Sequence, residues 1–212
     1  MHAQELYLVR HGQSLSNVEH RLCGVPPGPG LTELGRSQAE AIAVVLLGAA
    51  RSPVHVVSSP LLRAWQTADA LARKLGRAPA IEVALRETAF GAWEGKAVPE
   101  LIRDPAFRAW SRDPENAAPR GVERVSRAGA RALAALTALA GREPEGTIVA
   151  FSHQHVLLGF ARLCGVAAEE SWLPNAAAIH AVWQGGGWRV LAIDRTASGG
   201  NILRPEPAQI RA

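Results

Sequence analysis

Cysteine, lysine and long apolar runs are scarce in this 212-residue chain, and each scarcity removes a class of function. Cys23 and Cys164 form no CxxC pair and stand at no zinc-type spacing, so a reduced, cytoplasmic protein without a disulfide framework is expected. Of 23 basic residues only Lys74 and Lys96 are lysines, no Lys/Arg run exists and aromatics are not interleaved with the arginines, which argues against nucleic acid. The longest apolar stretch, Ala41 to Ala50, is too short to span a bilayer. Leu6 to Val9 is shorter than a secretory apolar segment and lacks a basic flank, so no signal peptide is expected. His153-Gln154-His155 offers two histidines but no carboxylate or cysteine cluster, and neither a metal nor another cofactor is expected.

What is present describes a folded enzyme of modest size. The chain is 48% apolar and 20% charged, with a net charge of +4 that mildly favours anionic ligands. No Gly/Ser-rich or charged linker divides it, so one α/β domain is expected over 1–195. The segment 196–212, with Ser198-Gly199-Gly200, Pro205 and Pro207, is expected to be a loosely packed tail. Periodicity predicts strands near 5–9, 54–58, 80–84, 147–151, 178–183 and 187–193, and helices near 32–48, 60–76, 97–111, 121–141 and 154–164. Gly185-Gly186-Gly187 reads as a hairpin turn, which makes one edge of a mostly parallel sheet antiparallel.

Three strand-to-helix junctions carry the chemistry. Arg10-His11-Gly12 directly follows the apolar run Leu6-Tyr7-Leu8-Val9. Arginine grips phosphoryl oxygens with a bidentate fork, a neutral imidazole nitrogen attacks phosphorus, and glycine lets the backbone approach a substrate. After the second strand, Ser59 suits a helix N-cap and Pro60 the first helical position, which puts Arg63 in the first turn. A cation there opposes the helix dipole at a cost of about 0.3–1 kcal/mol unless an anion is near. The strand Thr147 to Phe151 ends in Ser152-His153. In a parallel sheet those carboxyl ends share one edge, so Arg10, His11, Arg63 and His153 are expected to converge on one anion-binding pocket.

The same residues resemble the histidine phosphatase superfamily, whose fold is phosphoglycerate mutase-like. The resemblance lies in Leu8-Val9-Arg10-His11-Gly12-Gln13-Ser14 with Asn17, in Leu31-Thr32-Glu33-Leu34-Gly35-Arg36, in Ser58-Ser59-Pro60-Leu61-Leu62-Arg63, in Leu85-Arg86-Glu87 through Gly95, and in Ser152-His153. It implies a three-layer αβα sandwich. It also implies that His11 is the nucleophile, Arg10 and Arg63 the phosphate-gripping arginines, His153 the second histidine and Glu87 the proton donor. His11 must be neutral, as two guanidinium neighbours favour. Charge on the phosphoryl oxygens calls for a protonated His153, and donation calls for a Glu87 whose pKa is raised by burial or by the substrate.

Gln13, Asn17, Gly12 and the Gln154 N–H at a helix start are the further candidates for holding phosphate or substrate. Gln154 and His155 stand where many relatives are glycine-rich. Glu123 resembles an acid that orients a helix or an arginine, and Asn175 a structural asparagine. The chain lacks the insertion and the Glu-Arg-His-Tyr-Gly segment of the glycolytic mutases, so the phosphatase branch is expected: a histidine acid phosphatase-type phosphomonoesterase working through phosphohistidine. A phosphoglycerate mutase-type transfer and a non-catalytic phosphate-binding regulator are the alternatives. The expected partner is a small phosphorylated metabolite, with a homodimer left open and no membrane involved. Residues 97–120 are expected to form a lid, from which Arg103, Arg108, Arg112 or Arg120 would meet a second anionic group.

Overall fold

The computed structural model describes residues 4–143, 145–166 and 173–195. Strand β1 (Glu5–Arg10) leads through a single helical turn, α1 (Leu15–Val18), to α2 (Glu33–Ala49), and β2 (Val54–Ser58) leads to α3 (Leu62–Lys74). The short β3 (Ala80–Ile81) is followed by two small helices, α4 (Val98–Leu101) and α5 (Pro105–Arg112), and then by the long α6 (Val125–Arg142). After β4 (Thr147–Ser152) come α7 (Gln154–Leu163) and the hairpin of β5 (Ala178–Gln184) and β6 (Gly187–Asp194). The sheet runs β3-β2-β4-β1-β5-β6, with β1, β2, β3 and β4 parallel and β5 and β6 antiparallel.

Alternation along the strands sorts the core into two layers. Leu6, Leu8, Ile148 and Ala150 face α6 and α7, where they pack with Leu136, Leu157 and Phe160. Tyr7, Val9, Val149 and Phe151 face the other way, against Ile42, Leu46 and Leu71 of α2 and α3. Each such side chain removed from water contributes about 1.5–3 kcal/mol, so the sandwich is held from both faces. Strand β4 is buried throughout and lies between β1 and β2. Arg10 pairs with Ser152, and Ser58 with Phe151, so the three parallel strands end level with one another and deliver the residues after them to one edge.

Local chemistry sets several boundaries apart from the expected ones. The strand expected at 80–84 stops at Ile81, because Glu82 accepts from the Ala84 N–H at 2.9 Å and Leu85 closes a tight turn on the Glu82 carbonyl at 3.0 Å. The helix expected at 97–111 is two helices: Pro105 disfavours helical geometry just before it, and Asp104 caps the second helix through the Ala106 N–H at 2.8 Å. Helix α3 begins at Leu62 rather than Pro60, because Leu61 is extended at φ −73° and ψ 132°; the first-turn Leu62 N–H is taken by the Pro27 carbonyl at 2.7 Å. Helix α6 begins at Val125 rather than 121, because Val122 bridges to Phe90 and Glu123 N–H bonds the Ala89 carbonyl. Gly185 and Gly186 take φ of 63° and 87°, the pair of positive values that a two-residue hairpin turn requires. No described helix is long and apolar enough to cross a membrane. The tail expected at 196–212 lies outside the described residues.

Candidate active site

His11 leaves the end of β1 with its backbone held on both sides. Its N–H bonds the Ser152 carbonyl at 3.0 Å, and its carbonyl accepts from Ala176 N and Asn175 Nδ2, each at 3.2 Å. The imidazole is buried, and its two nitrogens meet opposite partners. Nδ1 lies 2.7 Å from the Gly12 carbonyl, which only accepts, so Nδ1 carries the proton. Nε2 then presents a lone pair, and Arg63 Nε–H donates to it at 3.0 Å. Burial, then Arg63 and Arg10, hold the His11 pKa well below the usual histidine value. The ring is therefore a neutral, oriented imidazole with its lone pair on Nε2.

Around it stand two buried guanidinium groups. Arg63, in the first turn of α3, also donates to the Cys23 carbonyl at 2.7 Å, while its NH1 has no hydrogen-bond partner among the described residues. Arg10 donates to the Leu173 carbonyl. Burial lowers the Arg10 pKa to about 10, with Glu87 opposing and Arg63 assisting, so it stays charged at neutral pH. The adverse dipole at Arg63 thus has its reason: two cations and one carboxylate, Glu87, leave the pocket with an excess of positive charge for an anion.

His153 caps α7 without a side-chain bond to it and lies beside His11, ring centroids 5.1 Å apart. Its Nε2 is 2.7 Å from Ser59 Oγ, and its buried Nδ1 has no partner among the described residues. Burial, with Arg63 next, holds its pKa well below the usual value, so His153 is neutral here and not protonated as expected. Ser59 is not the N-cap of α3, which is Leu61, though its Oγ accepts from the Leu61 N–H at 3.2 Å; the same hydroxyl orients this second histidine.

Glu87 sits in a segment pinned from behind. Arg131 donates to the Ala84 carbonyl and, at 3.1 Å, to the Glu87 carbonyl, and forks onto Glu123 at 2.9 Å through both Nε and NH2. Glu123 thus fulfils the orienting role expected of it. Burial pushes the Glu87 carboxyl up, but His155, the Thr88 N–H and Arg63 outweigh it, and the net shift is downward. Of the two causes expected to raise the pKa, burial alone does not suffice: with His155, the Thr88 N–H and Arg63 around it, Glu87 is a carboxylate. His155, whose Nδ1 lies 3.6 Å from Glu87 Oε1 and 3.1 Å from Thr88 Oγ1, is the residue that the sequence marked only as a departure from the family pattern.

The remaining candidates divide. Asn17, Gln13 and Gln154 line the same cavity of about 480 Å³ as Arg10, His11, Arg63 and Glu87. Asn17 Oδ1 is fully engaged by Ser14 N, Ser14 Oγ and Asn175 Nδ2, all at 3.0 Å, which leaves its Nδ2 as the donor for a ligand. Gln13 Oε1 is taken by Thr32 Oγ1 at 2.8 Å, which ties the wall to the start of α2. Gly12 does not line the cavity. A Cβ there would lie 2.4 Å from the Gly35 carbonyl oxygen, so this glycine serves the approach of α2 rather than of substrate. Arg103, Arg108, Arg112 and Arg120 are exposed and line no part of the cavity, contrary to the role expected of them. Among the described residues no group of three His, Cys, Asp or Glu side chains is placed to hold a metal ion.

The family model described as histidine phosphatase superfamily (branch 1) matches residues 6–196. A glucosyl-3-phosphoglycerate phosphatase of Mycobacterium tuberculosis is 38% identical over 146 residues, 68% of this chain and 64% of that protein. The chain therefore spans somewhat less than two thirds of that relative's length. An adenosylcobalamin/alpha-ribazole phosphatase of Escherichia coli is 32% identical over 170 residues, 79% of this chain and 82% of its own. A solved mycobacterial glucosyl-3-phosphoglycerate phosphatase with VO3 superimposes with a TM-score of 0.75 at 30% identity, covering 89% of this chain and 97% of that one.

Proposed function

This chain belongs to the histidine phosphatase superfamily, branch 1, and from that premise we propose that it hydrolyses small-molecule phosphomonoesters through a covalent phosphohistidine on His11, without a metal. The observation that carries the proposal is the neutral His11, its Nε2 lone pair held by Arg63 at 3.0 Å and its Nδ1–H donated to the Gly12 carbonyl at 2.7 Å. The relatives are phosphatases by name, which supports water as the final acceptor over a second alcohol.

Phosphoryl oxygens entering between Arg10 and Arg63 take over the N–H groups of Arg63, which frees the lone pair on Nε2. The N–P bond then forms as the P–O bond to the leaving group breaks, and Glu87 gives its proton to the departing oxygen. Glu87 is ionised beforehand, so that proton is gained on binding, when a phosphate dianion beside the carboxylate raises its pKa. The resulting carboxylate takes a proton from water, water oxygen attacks phosphorus, the N–P bond breaks and inorganic phosphate leaves. The same dianion favours a proton on His153, whose unpartnered Nδ1 then becomes a donor. Arg10, Arg63, Asn17 Nδ2 and the Gln154 N–H supply fixed donors, each worth about 10²–10³ in rate at sites of this kind.

In this reading the protein is a phosphomonoesterase of histidine acid phosphatase type whose partner is a small phosphorylated metabolite, and it works in the cytoplasm, where its two free cysteines remain reduced. The test is phosphate release from p-nitrophenyl phosphate in EDTA, with His11→Ala beside the wild type. Release by the wild type alone is expected. Release that stops on chelation, or that persists in His11→Ala, contradicts the proposal.

A further inference from the structure

We infer that the leaving group this site accepts is uncharged and apolar, an aryl or bulky alkyl alcohol, and that phosphomonoesters bearing a second anionic group are disfavoured. The inference rests on the phosphatase reading and concerns the half of the cavity that the phosphoryl group does not fill.

The two ends of the cavity differ in kind. The cations Arg10 and Arg63 cluster with His11 at one end. The apolar part of the lining is Leu22, Phe90, Val98, Phe107 and Trp110, with His20 and Arg21 also in the lining and the His155 ring 5.7 Å from both Phe90 and Trp110. Three of these belong to one aromatic cluster: Phe90 and Trp110 have ring centroids 5.9 Å apart, and Phe107 and Trp110 are 5.5 Å apart. Trp93 backs them at 5.3 Å from Phe107, and its Nε1 is fixed to Asp104 at 3.2 Å. Such a wall is built like a small core, with buried, mutually packed rings in place of adaptable polar side chains.

Charge points the same way. The exposed arginines of 97–120 stand outside the cavity, and Arg108 spends its NH1 on the Ile102 and Arg103 carbonyls. Apart from Arg10 and Arg63 the lining has one arginine, the half-exposed Arg21, whose charge is paired with Glu19 at 3.1 Å and whose NH1 donates to the Gly95 carbonyl at 2.9 Å. An anionic leaving group would be stripped of water against rings whose one unpartnered polar atom among the described residues is the neutral Trp110 Nε1–H, whereas an apolar one gains by burial.

The experiment compares two phosphonates of matched length that cannot be hydrolysed, 2-phenylethylphosphonate and 2-carboxyethylphosphonate, with inorganic phosphate as reference. Binding is followed by calorimetry, so the readout does not need turnover. The phenyl compound is expected to bind about tenfold or more tighter than the carboxylate. In Leu22→Arg, which adds a cation to the apolar wall, that ratio should shrink or invert. Equal or tighter binding of the carboxylate by the wild type overturns the inference, as does an unchanged ratio in a folded Leu22→Arg variant. If inorganic phosphate and both phosphonates all fail to bind, the phosphatase reading itself falls and takes this inference with it. If phosphate binds and only the ratio fails, that reading stands alone.

Discussion

Replacing Gly12 by alanine separates two jobs that a glycine beside a nucleophile can have. The added methyl would meet the Gly35 carbonyl oxygen at 2.4 Å and the Gly35 carbonyl carbon at 3.1 Å, both main-chain atoms of α2 that have no rotamer to change. Restoring ordinary contact at about 3.5 Å requires the β1 exit and α2 to part by about 1 Å. Overpacking of that kind costs about 1–3 kcal/mol, and in a chain of this size each kcal/mol lowers Tm by about 2–4 °C. The Gly12 carbonyl fixes the His11 tautomer at 2.7 Å, so the nucleophile moves with it. A displacement near 1 Å corresponds to about 100-fold in rate. Thermal unfolding followed by circular dichroism, with kcat and KM on p-nitrophenyl phosphate, is therefore expected to show a Tm lower by several degrees and a loss concentrated in kcat. An unchanged Tm with KM alone raised would refute the packing argument and return Gly12 to the substrate.

Glu87→Gln is expected to cut kcat/KM for alkyl phosphates by about 10²–10⁴ while sparing activated aryl phosphates, because only a poor leaving group needs the proton; equal losses on both would argue against donation. In His155→Asn the Glu87 pKa rises, since His155 is the foremost of the groups holding it down against burial. Loss of kcat/KM for an alkyl phosphate with rising pH should then set in at higher pH than in the wild type, and an unmoved limb counts against the pair. Stability should fall on acidification: burial keeps His11, His153 and His180 neutral in the fold, His180 down to about 4. Below about pH 6.5 the unfolded chain binds protons that the fold refuses, at about 1.4 kcal/mol per pH unit per histidine. Urea titrations at pH 7 and pH 5 giving the same unfolding free energy would contradict this.

The positions of the chemistry were legible in the sequence because they lie at strand ends. Arg10-His11 and Ser152-His153 each close a short apolar run, and a parallel sheet brings such ends together whatever the intervening chain does. Arg63 was legible as a violation, a cation at the wrong end of a helix. The neutral state of His11 was legible from the arginines expected beside it, whereas the charge states of Glu87 and His153 were not, because they depend on burial and on neighbours remote in sequence. Glu87 is ionised through His155, which lies far along the chain from it, and His153 is neutral through burial. Gly12 misled, and Ser59 was read only in part, since its hydroxyl meets the Leu61 N–H as well as the distant His153. A serine before proline and a glycine after histidine have common local uses, but here a distant ring and a distant helix claim them. The substrate end was not legible, because a residue's place in 97–120 does not say which way its side chain points: the four arginines there are exposed, while Phe107 and Trp110, on one face of α5, turn inward to the cavity.

Trapping the phosphoenzyme tests the central claim most directly. In Glu87→Gln an aryl phosphate still phosphorylates the protein, but the base that activates water is gone, so the intermediate should accumulate. Peptide mapping after a neutral quench is expected to find the phosphoryl group on the imidazole of His11, lost on brief acid treatment. Turnover with no adduct on His11, or an acid-stable phosphoryl group on any other side chain, would contradict the account.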